Sequence, residues 1–172
     1  GYIHLSTRAQ AAETAAKHKL MVDFHGGSKP TGLQRTWPNV LEHESVLGLE
    51  QNKWSDKANP EYTTLLPFIR MAVGPMDYTP GGFRNVSVDA FEPAFIAPRV
   101  MGTRTHQLAM FVIYESPLQM VADSPDAYFD GDGKPAPGTD FLSMVPASWA
   151  ETRVLSGAIG EHIVIARRRG DD

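Results

Sequence analysis

Three glutamates stand close together in one short stretch of the sequence. Glu42, Glu44 and Glu50 lie within residues 38–54, a segment that is otherwise mostly apolar or turn-forming. If the segment is extended, Glu44 and Glu50 are an even number of positions apart, so their side chains lie on the same face. Carboxylates clustered at the end of a strand can bind a hard cation such as Ca²⁺, or transfer protons as general acids and bases. This stretch is therefore the first candidate for chemistry.

Other polar side chains stand where apolar or turn-forming runs end. His25 directly follows the apolar run 20–24, and Asp77 and Tyr78 lie in the turn-rich run 74–82. In β/α folds the side chains that follow parallel strands meet at one edge, which is where such folds bind ligands. We therefore predict pocket positions for these three residues, with core packing and simple turn formation as the alternatives.

These residues need strands and helices to position them, and the sequence predicts an alternation of the two. The Ala-rich segment 6–19 and the mostly apolar segment 103–114 predict helices, and a short helical piece is expected at 139–144. Alternation of helices with short apolar strands is typical of a parallel sheet. Four strands are predicted in this alternation, near residues 20–25, 39–50, 65–72 and 118–122.

The pattern changes after residue 148. Residues 149–155 and 161–168 are strand-like on either side of a Gly-containing turn, which predicts an antiparallel hairpin. We therefore predict an α/β part at 1–148 and the first strands of a second, all-β domain at 149–172. Because a complete (β/α)8 TIM barrel takes about 250 residues, the first part would supply about its last four units. An open doubly wound sheet is the alternative, but its Gly-rich phosphate turn is not found after the first strand.

Composition excludes several classes of function. The chain has 172 residues, of which 42% are hydrophobic and 21% charged, as in globular proteins. A net charge of −4 provides no basic surface for nucleic acid, and the lack of cysteine excludes thiolate metal sites and disulfides. No apolar run approaches the roughly 20 residues of a membrane span. Because the chain starts at Gly1 without an initiator Met, we expect a fragment boundary there.

The succession of motifs in the chain resembles one enzyme family. In order, the motifs are LMVDFHGGSKPTGLQRTWPNV, GLEQNKW, PFIRMAVGPMDYTPGGFRN, MGTRTHQLAMFVIYESPLQMVADSP and VPASWAETRVLSGAIGEHIVIARRRGDD. Together they resemble glycoside hydrolase family 97, a family of mostly bacterial α-glucosidases and α-galactosidases. The resemblance implies the second half of a catalytic β/α barrel followed by the start of a C-terminal all-β domain. It also implies an oligosaccharide or α-galactoside substrate and a periplasmic or secreted parent protein.

The same resemblance assigns roles to individual residues. It implies that Glu50 is the general acid/base, that Glu44 and Glu50 bind Ca²⁺, and that His25 contacts the substrate. Inverting members of the family carry a glutamate directly after this histidine, whereas this sequence has Gly26. The chain therefore resembles the retaining members, whose aspartate nucleophile would precede Gly1.

The predicted function is a calcium-dependent hydrolase that removes terminal α-linked galactose or glucose with retention of configuration. The alternatives are an inverting α-glucosidase, an inactive fragment that self-associates through open barrel edges, and a carbohydrate-binding module. A module would use an exposed aromatic platform such as Trp37 or Trp54. Glu42 receives no role from the resemblance and is expected to be exposed.

Overall fold

The computed structural model describes residues 2–170, and the elements alternate between helices and short strands. The helices are α1 Tyr2–Lys17, α2 Leu33–Thr36, α3 Pro60–Ile69, α4 Arg104–Ile113, α5 Pro125–Tyr128 and α6 Thr139–Met144. The strands are β1 Val22–Phe24, β2 Val40–His43, β3 Asn85–Val86, β4 Val100–Met101, β5 Glu151–Ala158 and β6 His162–Arg168. Three 3₁₀ helices occupy Leu49–Lys53, Met71–Val73 and Val88–Ala90.

Parallel neighbours bring the ends of several elements together. Strands β1 and β2 pair in parallel, and His43 at the end of β2 forms a parallel bridge with Met76. The amide of Met76 donates in turn to the carbonyl of Glu115 at 2.9 Å. Successive chain segments therefore lie side by side in sequence order, with α3 and α4 in the connections. Strands β3 and β4 form a separate parallel pair.

The predicted strand near 65–72 is wrong, because residues 60–69 form helix α3 with Pro67 inside it. A proline in a helix removes the amide that would serve the carbonyl four residues earlier, here that of Thr63. That carbonyl instead accepts a hydrogen bond from the Tyr114 hydroxyl at 2.7 Å. The helix therefore continues through Pro67 because a side chain from the end of α4 replaces the missing backbone donor.

Two further strand predictions need correction. Strand β2 ends at His43, and the predicted continuation to residue 50 is interrupted by the 3₁₀ helix Leu49–Lys53. The predicted strand near 118–122 is also wrong, since the described chain has no strand there and Leu118 and Val121 are exposed. Short apolar runs do not distinguish a strand from a surface loop by themselves.

The helices and the hairpin are confirmed, but α1 begins at Tyr2 instead of residue 6, and the first hairpin strand runs on to Ala158 instead of ending at residue 155. Helix α4 begins after Thr103, whose hydroxyl accepts from the His106 amide at 3.1 Å, and α6 has the predicted bounds. Strands β5 and β6 pair antiparallel, and the Arg167 guanidinium donates to the carbonyl of Ile113 at 3.3 Å and pairs with Glu115 at 3.1 Å. The boundary at residue 148 stays a prediction, and residues 1, 171 and 172 lie outside the described part.

The core forms where α3 and α4 pack on the segment around Met76. Met76 and Leu66 are almost completely buried, and Tyr78 meets Tyr114 edge to face with ring centroids 5.2 Å apart. The buried cluster consists of Leu49, Ala58, Leu66, Met76, Tyr78, Val100, Met110 and Tyr114. Within residues 2–170, no helix combines the length and apolar character needed to cross a bilayer.

The substitution Tyr114→Phe should destabilise the fold, because it leaves the buried carbonyl of Thr63 without a donor. We expect the free energy of unfolding to fall by about 1 to 3 kcal/mol. Urea denaturation followed by tryptophan fluorescence measures this loss.

The substitution Pro67→Ala supplies a matched rescue, because it returns an amide to the helix in reach of the same carbonyl. Tyr114→Phe should therefore cost less stability when it is introduced into the Pro67→Ala variant than when it is introduced into the wild-type protein. Equal losses in the two backgrounds would contradict the proposed replacement of donors.

Candidate functional site

One cleft contains most of the residues that the sequence singled out. A cavity of about 220 Å³ is lined by His25, Glu44, Glu50 and Asp77, among others. His25 follows β1, Glu44 follows β2, and Asp77 follows the bridge at Met76. The cleft therefore lies at the carboxyl ends of neighbouring parallel segments, the edge at which β/α folds place their sites. Its other lining residues include Lys53, Thr79, Pro98, Arg99, Val100 and Asp123.

Arg8 on α1 holds the loop after β1 in place. Its guanidinium donates to the carbonyls of Gly26, Ser28 at 3.1 Å and His25 at 3.4 Å. The loop passes so close to Arg8 that a Cβ atom on Gly27 would lie 2.7 Å from its Nη2 atom. Gly27 also has a φ of 79°, in the left-handed region that favours glycine. The two glycines after His25 thus let the loop close over Arg8.

Arg70 fixes the other side of the cleft. Its buried guanidinium donates to the carbonyls of His43 at 2.6 Å and Glu44 at 3.3 Å. It also donates to the carbonyls of Gly74 at 3.1 Å and Pro75 at 3.2 Å. One cation therefore joins the end of β2 to the segment that leads into Asp77.

Glu44 points to the loop after β1. Its Oε2 atom accepts a hydrogen bond from the Gly26 amide at 2.6 Å. Glu50 comes to the cleft from a different element, the first turn of the 3₁₀ helix Leu49–Lys53, where it is exposed. The two carboxylates share the cleft, but the predicted reason, alternation along one extended strand, is wrong because the chain turns after His43.

The 3₁₀ helix that carries Glu50 is anchored by Asn52. The Asn52 side chain is completely buried, and its Nδ2 atom donates to the carbonyl of Arg99 at 2.9 Å. The backbone carbonyl of Asn52 accepts from the Ala94 amide at 3.2 Å. The excursion between α3 and α4 thus folds back and supports the acidic end of the cleft.

His25 is held by two aspartates. Its Nε2 atom hydrogen-bonds to Oδ2 of Asp77 and lies 3.3 Å from Oδ2 of Asp23. Burial lowers the pKa of His25, but the hydrogen bond and charge of Asp77, with the charges of Asp23 and Glu44, outweigh burial and raise it. The predicted sites of His25 and Asp77 are thus brought into direct contact.

Asp23 is a site residue that the sequence reasoning missed. Burial, together with the charge of Asp77, raises the pKa of Asp23 to about 6. Its position two residues before His25 on an apolar strand was the available signal, because residues i and i+2 of a strand share a face. An aspartate within the apolar run LMVDF needs a hydrogen-bond or charge partner when it is buried. In the structure, Asp23 interacts with His25 and Asp77.

Two other residues lie where the sequence did not place them. Tyr78 is buried in the core and is not among the cleft residues, so its position gives the predicted sugar contact no support. Glu42, expected to be exposed, is only 1% exposed. Burial raises the pKa of the Glu42 carboxyl from 4.5 to about 7, opposed in part by the charge of Arg70.

Two sets of side chains could bind a cation. Glu44 and Glu50 offer the oxygen atoms that Ca²⁺ prefers, and both line the same cleft. Asp23, His25 and Asp77 form the tighter set, with one ligand atom from each within 4.8 Å of the others. In this second set the histidine nitrogen already bonds to a carboxylate, so its geometry suits a hydrogen-bonded cluster.

The substitution Glu42→Gln should change stability in a pH-dependent way. A folded pKa of about 7 means that folding favours the protonated acid, so the ionised acid destabilises the fold increasingly as pH rises from 4.5 to about 7. At pH 8 we expect the variant to be more stable than wild type by about 2 to 3 kcal/mol. The difference should shrink strongly at pH 5.

Urea denaturation at the two pH values measures this difference. Glu61→Gln, an exposed glutamate on α3, is the matched control and should give no pH-dependent gap. A gap for Glu42→Gln that is equal at pH 5 and pH 8 would argue against a buried, protonated Glu42.

Sequence comparison relates the chain to glycosidases. The family model described as Glycoside hydrolase 97 matches residues 3–46. The chain is 47% identical over 164 residues to a retaining alpha-galactosidase of Bacteroides thetaiotaomicron, covering 94% of this chain and 24% of that protein. It is 38% identical over 160 residues to a probable retaining alpha-galactosidase of Streptomyces bingchenggensis, covering 90% of this chain and 22% of that protein. The chain thus spans about a quarter of the length of these relatives.

Comparison with solved structures agrees with the sequence result. A glycoside hydrolase family 97 enzyme from Pseudoalteromonas sp. strain K8, in complex with acarbose, superposes with a TM-score of 0.83 at 35% identity. That match covers 100% of this chain and 25% of the enzyme. A beta-arabinopyranosidase superposes with a TM-score of 0.75 at 34% identity, covering 92% of this chain and 25% of that one. Sequence and fold thus both support placing the chain in glycoside hydrolase family 97.

Proposed function

We propose that this chain is part of a retaining α-galactosidase whose acid/base is Glu50. The observation that carries the proposal is the cleft, in which Glu50, Glu44 and His25 meet while position 26 is a glycine. Two relatives named as retaining or probable retaining alpha-galactosidases support the substrate and the stereochemistry. A sugar would enter at the carboxyl ends of β1 and β2.

The residues of the chain supply half of the required chemistry. Retaining glycosidases use one carboxylic acid to protonate the leaving oxygen and a second carboxylate to attack the anomeric carbon. Glu50 takes the first role in this proposal, and the nucleophile would come from outside residues 1–172. Residues 1–172 alone would therefore not turn over substrate. Glu50 is exposed here, so the cover that keeps such an acid protonated would come from the same additional part.

We extend the proposal to the fold of the whole domain. The segments at β1, β2, Met76 and Glu115 lie side by side in sequence order, with a helix in each connection. This order is the one expected for consecutive units of a (β/α)8 barrel, and Asp77 and His25 then lie at its catalytic face. The hairpin β5–β6 would begin the next domain. A periplasmic or secreted location remains a proposal from the family resemblance.

Calcium fits the donor set of the cleft. Glu44 and Glu50 are oxygen donors, and Ca²⁺ takes six to eight such ligands, so water, substrate or further residues would complete the set. A bound Ca²⁺ would supply positive charge that orients sugar hydroxyls and favours the ionised form of nearby carboxylates. The chain's own part is to present Glu44 from the loop after β2, held by its bond to the Gly26 amide.

Gly26 is the residue that favours retention over inversion. The resemblance places a catalytic glutamate of the inverting members at this position. Gly26 has a φ of 63°, and apart from its two chain neighbours no heavy atom of residues 2–170 lies within 4 Å of the Cβ that a side chain would add. The space is therefore open, and this chain offers no carboxylate there to activate a water for inversion.

The substitution Glu50→Gln should abolish most activity of the full-length protein on p-nitrophenyl α-galactoside. Loss of a general acid typically costs about 10² to 10⁴ in kcat, with the smaller loss for a leaving group as good as nitrophenolate. Glu92→Gln, an exposed glutamate away from the cleft, should be unaffected.

Proton NMR of the first product formed from the wild-type protein tests the stereochemistry. We expect α-galactose before mutarotation. If β-galactose forms first, the retaining mechanism is contradicted. If Glu50→Gln keeps its activity, the assignment of Glu50 as the general acid is contradicted. A p-nitrophenyl β-arabinopyranoside should be included, because the solved beta-arabinopyranosidase is the second candidate for specificity.

Removal of Ca²⁺ with EGTA should lower the activity of the full-length protein, and added Ca²⁺ should restore it. Glu44→Gln removes one charged oxygen ligand, so it should raise the Ca²⁺ concentration for half-maximal activity by about tenfold or more. Titration of the activity with Ca²⁺ measures this shift. Activity that is indifferent to EGTA would contradict the calcium proposal while leaving the glycosidase proposal standing.

A further inference from the structure

We propose that Asp77, assisted by Asp23, is a positioning residue that acts on the substrate only through His25. The two carboxylates hold Nε2 of the His25 ring on the protein side, and this leaves Nδ1 free to meet a sugar hydroxyl in the cleft. The inference rests on the proposed function, because it takes the ligand of the cleft to be a sugar. It differs from the sequence-based expectation, in which Asp77 contacts the substrate itself.

The burial of the two side chains separates their roles. The Asp77 side chain is 2% exposed, whereas that of His25 is 63% exposed. Asp77 is fixed through its backbone, since its amide donates to the carbonyl of His43 at 3.1 Å. The Asp77 carboxylate is too deeply buried to contact a ligand easily, but it contacts the imidazole of His25, which is exposed to the cleft.

The contact geometry determines which ring nitrogen faces the protein. Oδ2 of Asp77 bonds to Nε2 of His25, and Oδ2 of Asp23 lies 3.3 Å from the same nitrogen. Ionised carboxylates only accept hydrogen bonds, so Nε2 must carry its proton. A ring held in this way has a defined tautomer and orientation, and Nδ1 is the nitrogen that remains for a ligand.

The charges around the ring favour its protonated form. The acidic groups that face His25 are Asp23 on β1, Asp77 after Met76, and Glu44 after β2. The cation of Arg8 donates to the backbone carbonyls of the loop and not to the ring. In the protonated ring Nδ1 is a donor, which suits the oxygen of a sugar hydroxyl.

The competing explanation is that Asp77 and His25 form an ion pair that only stabilises the fold. A double-mutant cycle distinguishes this explanation from a role of Asp77 in substrate binding through His25. The full-length protein is assayed on p-nitrophenyl α-galactoside as wild type, Asp77→Asn, His25→Ala and the double variant. We expect Asp77→Asn to raise KM about tenfold with a smaller change in kcat, as for loss of one charged hydrogen bond. In the His25→Ala background the same change should have less than about a twofold effect.

Control variants distinguish a loss of substrate binding from a loss of folding. Asp23→Asn provides a second, milder variant of the same contact if Asp77→Asn does not fold, and thermal unfolding is measured for every variant. Asp89→Asn, an exposed aspartate outside the cleft, should change neither KM nor kcat. An equal effect of Asp77→Asn with and without His25 would overturn the inference, because Asp77 would then act independently of the ring.

A second readout does not depend on activity. Titration of the full-length protein labelled with ¹⁵N-histidine follows the His25 ring, which is assigned by its loss in His25→Ala. Because Asp77 raises the pKa of His25, the variant Asp77→Asn should titrate at lower pH than wild type. An unchanged titration would overturn the inference. If Asp77→Asn lowers the pH at which His25 titrates but the wild-type protein does not cleave galactosides, the pairing of Asp77 with His25 would stand and the proposed function would be refuted.

Discussion

The carbonyl of His43, the last residue of β2, is the point on which the arrangement of the cleft depends. It accepts hydrogen bonds from the Asp77 amide and from the buried Arg70 guanidinium. The first bond aligns the Met76 segment with β2, and the second joins β2 to the end of helix α3, where Arg70 lies. Because the strands are very short, little other backbone pairing is available to define this alignment. The cleft residues meet only while β1, β2 and the Met76 segment keep their order.

Around this point the site divides into a buried part and an exposed part. Asp23 and Asp77 are covered and act on each other and on His25, and burial with mutual repulsion raises the pKa of Asp23 to about 6. Glu50 is exposed on a 3₁₀ helix and has no comparable contacts among residues 2–170. The buried part is therefore organised by the chain itself. In the proposed enzyme, the exposed part receives its environment from the remaining length that the relatives possess.

Much of the site was predictable from sequence, but for reasons that were only partly correct. Short strands ending in His25 and near Glu44 placed both residues at one edge, which needs only the parallel order of β1 and β2. A strand was predicted where α3 lies because a proline such as Pro67 normally ends a helix. The Tyr114 hydroxyl, which replaces the missing amide donor, lies 47 residues away in sequence. Burial of Glu42 and the pairing of Asp23 also depend on contacts between distant segments. Local patterns carry no information about such contacts.

A crystal structure of the full-length protein with galactose and Ca²⁺ would show whether the cleft binds the sugar as proposed. We expect galactose in the cleft, with the Glu50 carboxylate within hydrogen-bond distance of the anomeric oxygen and Nδ1 of His25 on a ring hydroxyl. Asp77 should touch His25 and not the sugar. Galactose bound elsewhere, or bound in this cleft with Glu50 turned away from the anomeric oxygen, would refute the role proposed for Glu50.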